Sequence, residues 1–99
     1  MANSDDDCVS EMVLVFCGEN SRFPIGVFRS RPAAEAWIAR HQLSGILTRY
    51  PVDVGVYEWA VQNGTFVPKC PEHESARFIA GFTSASLEHT HFLNGAAVP

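Results

Sequence analysis

The chain is poor in charge and lacks long apolar segments, and each shortage argues against a class of protein. Charged residues make up 18% of its 99 residues, and the seven Lys and Arg form no basic stripe, which argues against nucleic acid as a partner. No apolar run approaches the roughly 20 residues that cross a bilayer. The first ten residues lack the basic start and apolar centre of a signal peptide. We therefore expect a cytoplasmic protein without a membrane or nucleic-acid partner.

The cysteines do not suit a disulfide scaffold, and the glycines do not suit a phosphate-binding loop. Cys8, Cys17 and Cys70 are an odd number of cysteines, which argues against a disulfide scaffold and suits a reducing compartment. The glycines form no Gly-rich turn followed by Lys of the kind that cradles phosphate.

The net charge of −4 is concentrated at the start of the chain. Asp5, Asp6, Asp7 and Glu11 account for four of the eleven acidic residues, and the remaining seven balance the seven basic ones. A short charged run of this kind is typical of a solvated tail. We predict an acidic flexible tail over 1–11, a single domain over 12–93 and a flexible C-terminus over 94–99.

The stretch from Ser30 to Leu43 predicts the main helix. Ser30 is a favourable N-cap, and Pro32 suits the first turn because its missing N–H has no helical partner there. Gly45 is a natural helix stop. One stripe at helical spacing is expected to face inward; its members are Ala34, Trp37, Ile38 and His41.

Three apolar runs around this helix predict strands. Residues 12–16 form a continuous apolar run, as expected for a strand with neighbours on both sides. In residues 24–29, Ile25 and Val27 share a face opposite Phe28, and residues 46–52 alternate. A right-handed crossover through the helix places the first strand between the other two.

The C-terminal third predicts shorter elements. Asp53 can cap a second helix that ends at Asn63-Gly64, and Pro71 can start a third. Residues 83–92 alternate like a strand, although Ser84 could instead cap a helical turn; we favour the extended conformation. The expected fold is therefore α+β: a small, mainly antiparallel sheet containing a β-β-α-β unit and covered by one main helix, with shorter C-terminal helices and a fourth strand as the favoured alternative.

Several phrases resemble a family of small, uncharacterised bacterial single-domain proteins. They are Val-Phe-Cys-Gly-Glu-Asn, Arg-Phe-Pro-Ile-Gly-Val-Phe, the run from Leu43 to Ala60, and Ser-Ala-Ser-Leu-Glu-His-Thr-His. The resemblance covers roughly residues 13–94. The resemblance implies a compact stand-alone α+β domain, and it implies no activity, cofactor or site.

Four residues offer a metal site as an alternative function. Cys70 and His73 form a Cys-x2-His pair, and His89 and His91 form a His-x-His pair. Cysteine and histidine are residue types that bind zinc. Two histidines at i and i+2 of a strand share one face. The competing interpretation is a loop thiol and half-exposed histidines without a metal.

No catalytic set emerges from the sequence, so we predict that the protein is not an enzyme. Cys17 follows an apolar run, where a thiol could be exposed, and His41 could serve as its base. The simpler interpretation makes Cys17 a small apolar residue and His41 a residue at a helix end.

The eleven aromatic residues exceed what a core under one helix can bury. Phe23, Tyr57, Trp59 and Phe66 are candidates for exposure, and exposed aromatics cluster at protein-binding surfaces. The alternative is that the shorter helices cover the second sheet face and bury them. We predict a non-catalytic domain that binds another protein, for example as an inhibitor or immunity-type partner; the alternatives are the zinc domain and a structural protein that self-associates through an exposed edge strand.

Overall fold

The computed structural model of the protein describes residues 11–83 and 86–99. The described chain forms five strands and three α-helices. In chain order they are β1 (Met12–Gly18), β2 (Pro24–Phe28), α1 (Arg31–His41), β3 (Gly45–Pro51), α2 (Val56–Gln62), α3 (Ala76–Ala80), β4 (His89–Leu93) and β5 (Ala96–Ala97), with a 3-10 turn at Pro71–Glu74 before α3. None of the helices in these ranges is long and apolar enough to cross a membrane.

The sheet has the order β2-β1-β3-β4-β5, and every neighbouring pair is antiparallel. Because β1 runs antiparallel to both neighbours, β2 and β3 are parallel to each other and joined through α1. The predicted β-β-α-β unit, with the first strand between the other two, is confirmed, as is the α+β class. β4 is the predicted fourth strand, and β5 extends the sheet by one strand more than predicted.

Local sequence explains where α1 begins and how it is held. The Ser30 hydroxyl accepts a hydrogen bond from the amide of Ala33 at 3.3 Å, and a proline lies in the first turn. The Arg31 guanidinium donates to Glu35 at 2.9 Å and to the Thr90 hydroxyl at 2.7 Å. The second bond ties the start of the helix to β4, so α1 lies across the sheet.

The main core fills the space between α1 and the sheet. Phe16, Ile38 and Leu47 are its largest fully buried side chains. Trp37 packs edge-on against Phe16 at a centroid distance of 6.0 Å, and Phe28 lies 5.4 Å from Trp37. The buried members of this cluster are Leu14, Phe16, Ala34, Ile38, Leu47 and Phe92.

The end of α1 differs from the prediction at two positions. Gln42, rather than Gly45, adopts the left-handed conformation that terminates the helix, with φ of 54°. Gly45 starts β3, where a side chain would collide with the Cys17 carbonyl oxygen and the Phe16 ring. His41 was predicted to face inward but is exposed, because the helix ends there. Its ring contacts the Trp37 ring edge-on, with 5.7 Å between the ring centroids.

The C-terminal strand is confirmed over His89–Leu93. Residues 94–99 were predicted to be flexible, yet they include β5, because Asn94 and Gly95 both adopt positive φ (51° and 91°) and turn the chain back onto β4. Two residues of this kind between strands form a tight hairpin turn. Ser84, the alternative helix cap, lies outside the described residues.

The shorter helices also differ in their caps. Asp53 does not cap α2, since its backbone is left-handed, with φ of 66°, and Gly55 precedes the helix instead. The segment starting at Pro71 is a 3-10 turn, and the α3 helix after it is capped by the Ser75 hydroxyl, which accepts from the Phe78 amide at 3.1 Å.

Only the end of the predicted acidic tail belongs to the described chain. Asp5, Asp6 and Asp7 lie outside it. Glu11 forms an ion pair with Arg29 at 3.1 Å, and its carbonyl accepts from the Val52 amide at 2.9 Å. Glu11 is therefore part of the fold.

Candidate protein-binding face

The sheet has two faces with different surroundings. Alternate residues of a strand point to opposite faces, and Leu14, Phe16, Leu47 and Phe92 point towards α1. The residues between them point to the opposite side, which we call the open face. It is formed by Val13, Val15, Cys17, Ile25, Val27, Ile46, Thr48, Tyr50, His89, His91, Leu93 and Val98.

Strand register arranges the open face into rows across the sheet. Val27 pairs with Val15, Val15 with Thr48, and Thr48 with His89. In the next row Cys17 pairs with Ile46, and Ile46 with His91. Residues directly opposite on antiparallel strands bring their Cβ atoms to within about 5.5 Å, so each row is a continuous surface.

The open face is apolar and exposed. Val27 is 66% exposed and Leu93 is 55% exposed, and Ile25, Ile46 and Val98 are also exposed. Isolated apolar residues on a surface are ordinary, but a contiguous apolar patch marks an interaction site. These residues lie on the same side of one sheet, and so they form a patch.

The open face also lacks fixed charge. Within the five strands of the described chain, Arg49 is the single Asp, Glu, Lys or Arg. Arg49 pairs with Leu14, which points towards α1, and forms an ion pair with Glu88 at 3.6 Å. The polar groups that remain on the open face are the hydroxyls of Thr48 and Tyr50, the Cys17 thiol and two imidazoles.

A second apolar region, the aromatic cluster, borders the open face. It consists of Tyr57, Phe66, His73, Phe78 and Phe82, whose ring centroids lie 4.8–6.3 Å apart in contacting pairs. Burial and the nearby carboxylates of Glu74 and Glu58 raise the pKa of Tyr57. A groove of about 320 Å³ separates this cluster from the sheet. Its lining consists of four open-face residues, Ile46, Thr48, Tyr50 and His89, and of Val56, Phe82, Thr83 and Leu87.

The four aromatic residues predicted for protein binding lie in two different settings. Phe23 is 71% exposed in the turn between β1 and β2, where the Ser21 hydroxyl bonds to its backbone. Tyr57 is buried and Phe66 half-buried within the aromatic cluster, and Trp59 is half-buried on α2. Only Phe23 among them presents most of its side chain to solvent.

The four predicted metal ligands do not converge. No three His, Cys, Asp or Glu side chains within 11–83 and 86–99 are placed to share an ion. His73 accepts the Lys69 amide at its Nδ1 (3.1 Å) and stacks on Phe78, whereas His89 directs its Nδ1 at the Leu87 carbonyl oxygen, 2.9 Å away. A carbonyl only accepts, so this His89 nitrogen carries the proton. His91 contacts His89 edge-on, at 5.6 Å.

Cys17 and His41 lie on opposite sides of the sheet. Cys17 belongs to the open face, and its thiol is directed at the Ser21 carbonyl oxygen, 3.7 Å away. His41 lies beside Trp37, which packs on the other side against Phe16. The structure therefore does not assemble this pair into a nucleophile and its base.

The exposed apolar residues of the open face are aliphatic, so a search for exposed aromatic residues does not find them. The relevant signal was the alternation in β2 and β3, which separates Ile25 and Val27 from Phe28, and Ile46 from Leu47. That signal divides the residues between two faces but does not say which face a helix covers. Only the path of α1 and of the C-terminal segment decides it.

Comparison with known proteins identifies a family. No curated protein and no solved structure matches the chain. A family model described as a domain of unknown function, DUF7710, matches residues 13–98. The match covers all five strands and all three helices except the first residue of β1, and it bears out the resemblance to a family without an assigned activity. The chain therefore belongs to the DUF7710 family of domains of unknown function.

Proposed function

We propose that this protein is a non-catalytic domain that binds another protein chain through the open face of its sheet. The observation that supports the proposal is the exposure of Ile25, Val27, Ile46, Leu93 and Val98 on one side of a single sheet. A surface of this kind costs free energy in water, because about 25 cal/mol is gained for each square ångström of apolar surface that is buried. A partner that covers the face recovers that free energy.

The shape of the site suits a protein better than a small molecule. The open face is a broad surface spread over the strands from β2 to β4, and the groove beside it is open to solvent. Binding pockets for small molecules bury most of the ligand surface. An extended apolar surface without charged groups is instead typical of the centre of a protein–protein interface.

The proposal can be tested with a matched pair of lysine substitutions. Val27→Lys places a charge on the open face, and Val67→Lys places the same charge on an equally exposed valine (61%) in the loop after α2. Tagged wild type and both variants are used as baits in lysate of the organism that carries the gene. Bound chains, including untagged copies of the protein itself, are quantified by mass spectrometry.

We expect a chain that is captured by wild type and by Val67→Lys, and at least about tenfold less by Val27→Lys, because an unpaired charge at the centre of an interface is not compensated. Circular dichroism checks that both variants fold. Capture that is the same for all three baits, or absent for all three, would contradict a binding role for the open face.

A further inference from the structure

We infer that the chain covering the open face is a second copy of this protein, packed sheet against sheet. The inference rests on the proposed function, since it names the partner of the same face. Three properties of the described residues support it: the absence of fixed charge on the face, the distribution of its exposed residues, and its area.

The absence of charge favours an identical partner. Most interfaces between different proteins use charge to select the partner, with a positive patch facing a negative one. Arg49, the one charged residue of the five strands, pairs with Leu14 and thus lies on the helix side. A second copy brings the same uncharged surface, so no like charges repel each other. A two-fold interface has to be complementary to itself, and an uncharged face fulfils this requirement.

The distribution of exposure favours face-to-face contact over pairing through a strand edge. Val27 lies on β2, at one edge of the sheet, and Leu93 lies on β4 towards the other edge. Edge pairing through β2 would leave Ile46, Leu93 and Val98 in water, and Pro24 has no N–H to donate to a new ladder. Packing the faces together covers all of these side chains at once.

The area predicts how strong the association is. Strands lie about 4.8 Å apart and rise about 3.4 Å per residue, so five strands of up to seven residues span about 19 Å by about 24 Å. Two such faces provide at most about 900 Å², below the range of stable specific interfaces and within that of weak ones. The groove beside the aromatic cluster is lined by Ile46, Thr48, Tyr50 and His89 of the face, which leaves the parts around Val27 and Leu93 for the partner. We expect a reversible dimer with a dissociation constant in the micromolar range.

Sedimentation equilibrium from about 1 to about 500 µM tests the inference. The buffer contains a reductant, because Cys17 and Cys70 are free thiols. Wild type is expected to change from monomer to dimer across this range, and Val67→Lys is expected to do the same.

Two oppositely charged variants test which surface is used. One carries Val27→Lys and Leu93→Lys, and the other carries Val27→Glu and Leu93→Glu. Each alone should remain monomeric at concentrations at least tenfold above the wild-type midpoint. An equimolar mixture should form a 1:1 dimer, whichever way the two-fold axis runs, because these positions then face opposite charges. A neutral pair, Val27→Ser with Leu93→Ser, should weaken the dimer without adding charge.

The inference is overturned if wild type remains monomeric at about 500 µM, or if the charged variants still dimerise, since the contact then lies elsewhere, such as the β2 edge. These results are distinct from failure of the proposed function. A monomeric wild type whose open face still captures a different protein in lysate would remove the second copy as partner and keep the binding role. Face-independent capture would remove both.

Discussion

In β1, Leu14 and Phe16 are buried under α1, whereas Val13 and Val15, which alternate with them, are half-buried on the open face. The four residues are all apolar and belong to one strand. They differ only in what lies above them. The comparison shows that apolar composition makes a sheet face able to form a core, and that a covering element decides whether it does.

The same comparison applies to the two helical layers. The helix α1 has eleven residues and lies over the sheet, where it buries Ala34 and Ile38 completely. The helices α2 and α3 have seven and five residues, and they pack mainly on the aromatic cluster. Short helices gain their stability from tertiary packing. In α2 and α3, most of the side chains that provide this packing are half-exposed. One layer covers a sheet face, and the other leaves most of a face open.

The largest expected difference between the two faces is in stability. Phe16→Ala removes a fully buried ring that contacts Trp37 and Phe92, so the free energy of unfolding should fall by about 3–5 kcal/mol. Val27→Ala on the open face should change it by less than about 1 kcal/mol, because two-thirds of that side chain is already in water. Urea unfolding of both variants below about 1 µM, where the proposed dimer is dissociated, measures the difference, and equal losses would show that Val27 is packed within the monomer.

A smaller loss is expected where β3 passes close to β1. Gly45→Ala would place a methyl group against the Cys17 carbonyl oxygen and the Phe16 ring. We expect a loss of about 1–3 kcal/mol, in the range of other strained backbone positions. The control is Gly64→Ala, whose φ is also positive (75°) but which has no atom within 4 Å of an added Cβ. In thermal unfolding, the melting temperature should fall more for Gly45→Ala than for Gly64→Ala. The reverse order would mean that the backbone conformation of the glycine, and not the steric contact of the added methyl group, dominates the loss.

The helix-covered half of the fold could be predicted because its signals are local and agree with one another. Ser30 and Pro32 mark the start of α1, and the continuous apolar run of β1 marks a central strand. The right-handed crossover then allows one strand order. Each rule acts over a few residues or over one connection, which is the range in which sequence patterns are informative.

The errors lie where a competing interaction wins or where a signal was not weighed. His41 has the right spacing to face inward, but the helix ends there and leaves it exposed. Gly45 was assigned to a helix stop, whereas close strand approach is what requires it. Asn94-Gly95 is a strong hairpin signal, which the prediction of a flexible end over 94–99 does not use, and the structure places β5 directly after it.

The candidate site was harder to predict for a physical reason. Sequence alternation assigns Ile46 and Leu47 to different faces, but both are apolar, so composition does not say which face is covered. The sequence predicts exposure for four aromatic residues. Tyr57 and Phe66 instead pack on Phe78 and Phe82, contacts that depend on how two short helices meet.

The aromatic cluster should open more easily than the main core. Phe78→Ala removes a half-buried ring that contacts Tyr57 and Phe66, and we expect a local loss of about 1–2 kcal/mol, less than for a fully buried phenylalanine. In hydrogen exchange, amides of α2 should then exchange faster while those of β1 keep their protection, because opening is local. Faster exchange in β1 by the same factor would show that the two layers unfold as one unit.

The smallest effect is expected at alkaline pH, and it distinguishes the cluster from the open face. Burial and the carboxylates of Glu74 and Glu58 raise the pKa of Tyr57 from its usual 10.0. Above pH 10 the unfolded chain loses this proton before the folded chain does, so the free energy of unfolding should fall as pH rises towards the raised pKa. Below pH 10 both states keep the proton and this contribution is constant. Tyr57→Phe should remove this part of the alkaline loss, and Tyr50→Phe on the open face is the matched control. If urea unfolding between pH 9 and 11 gives the same slope for wild type and Tyr57→Phe, then the Tyr57 phenol is as accessible to water in the folded protein as it is in the unfolded chain.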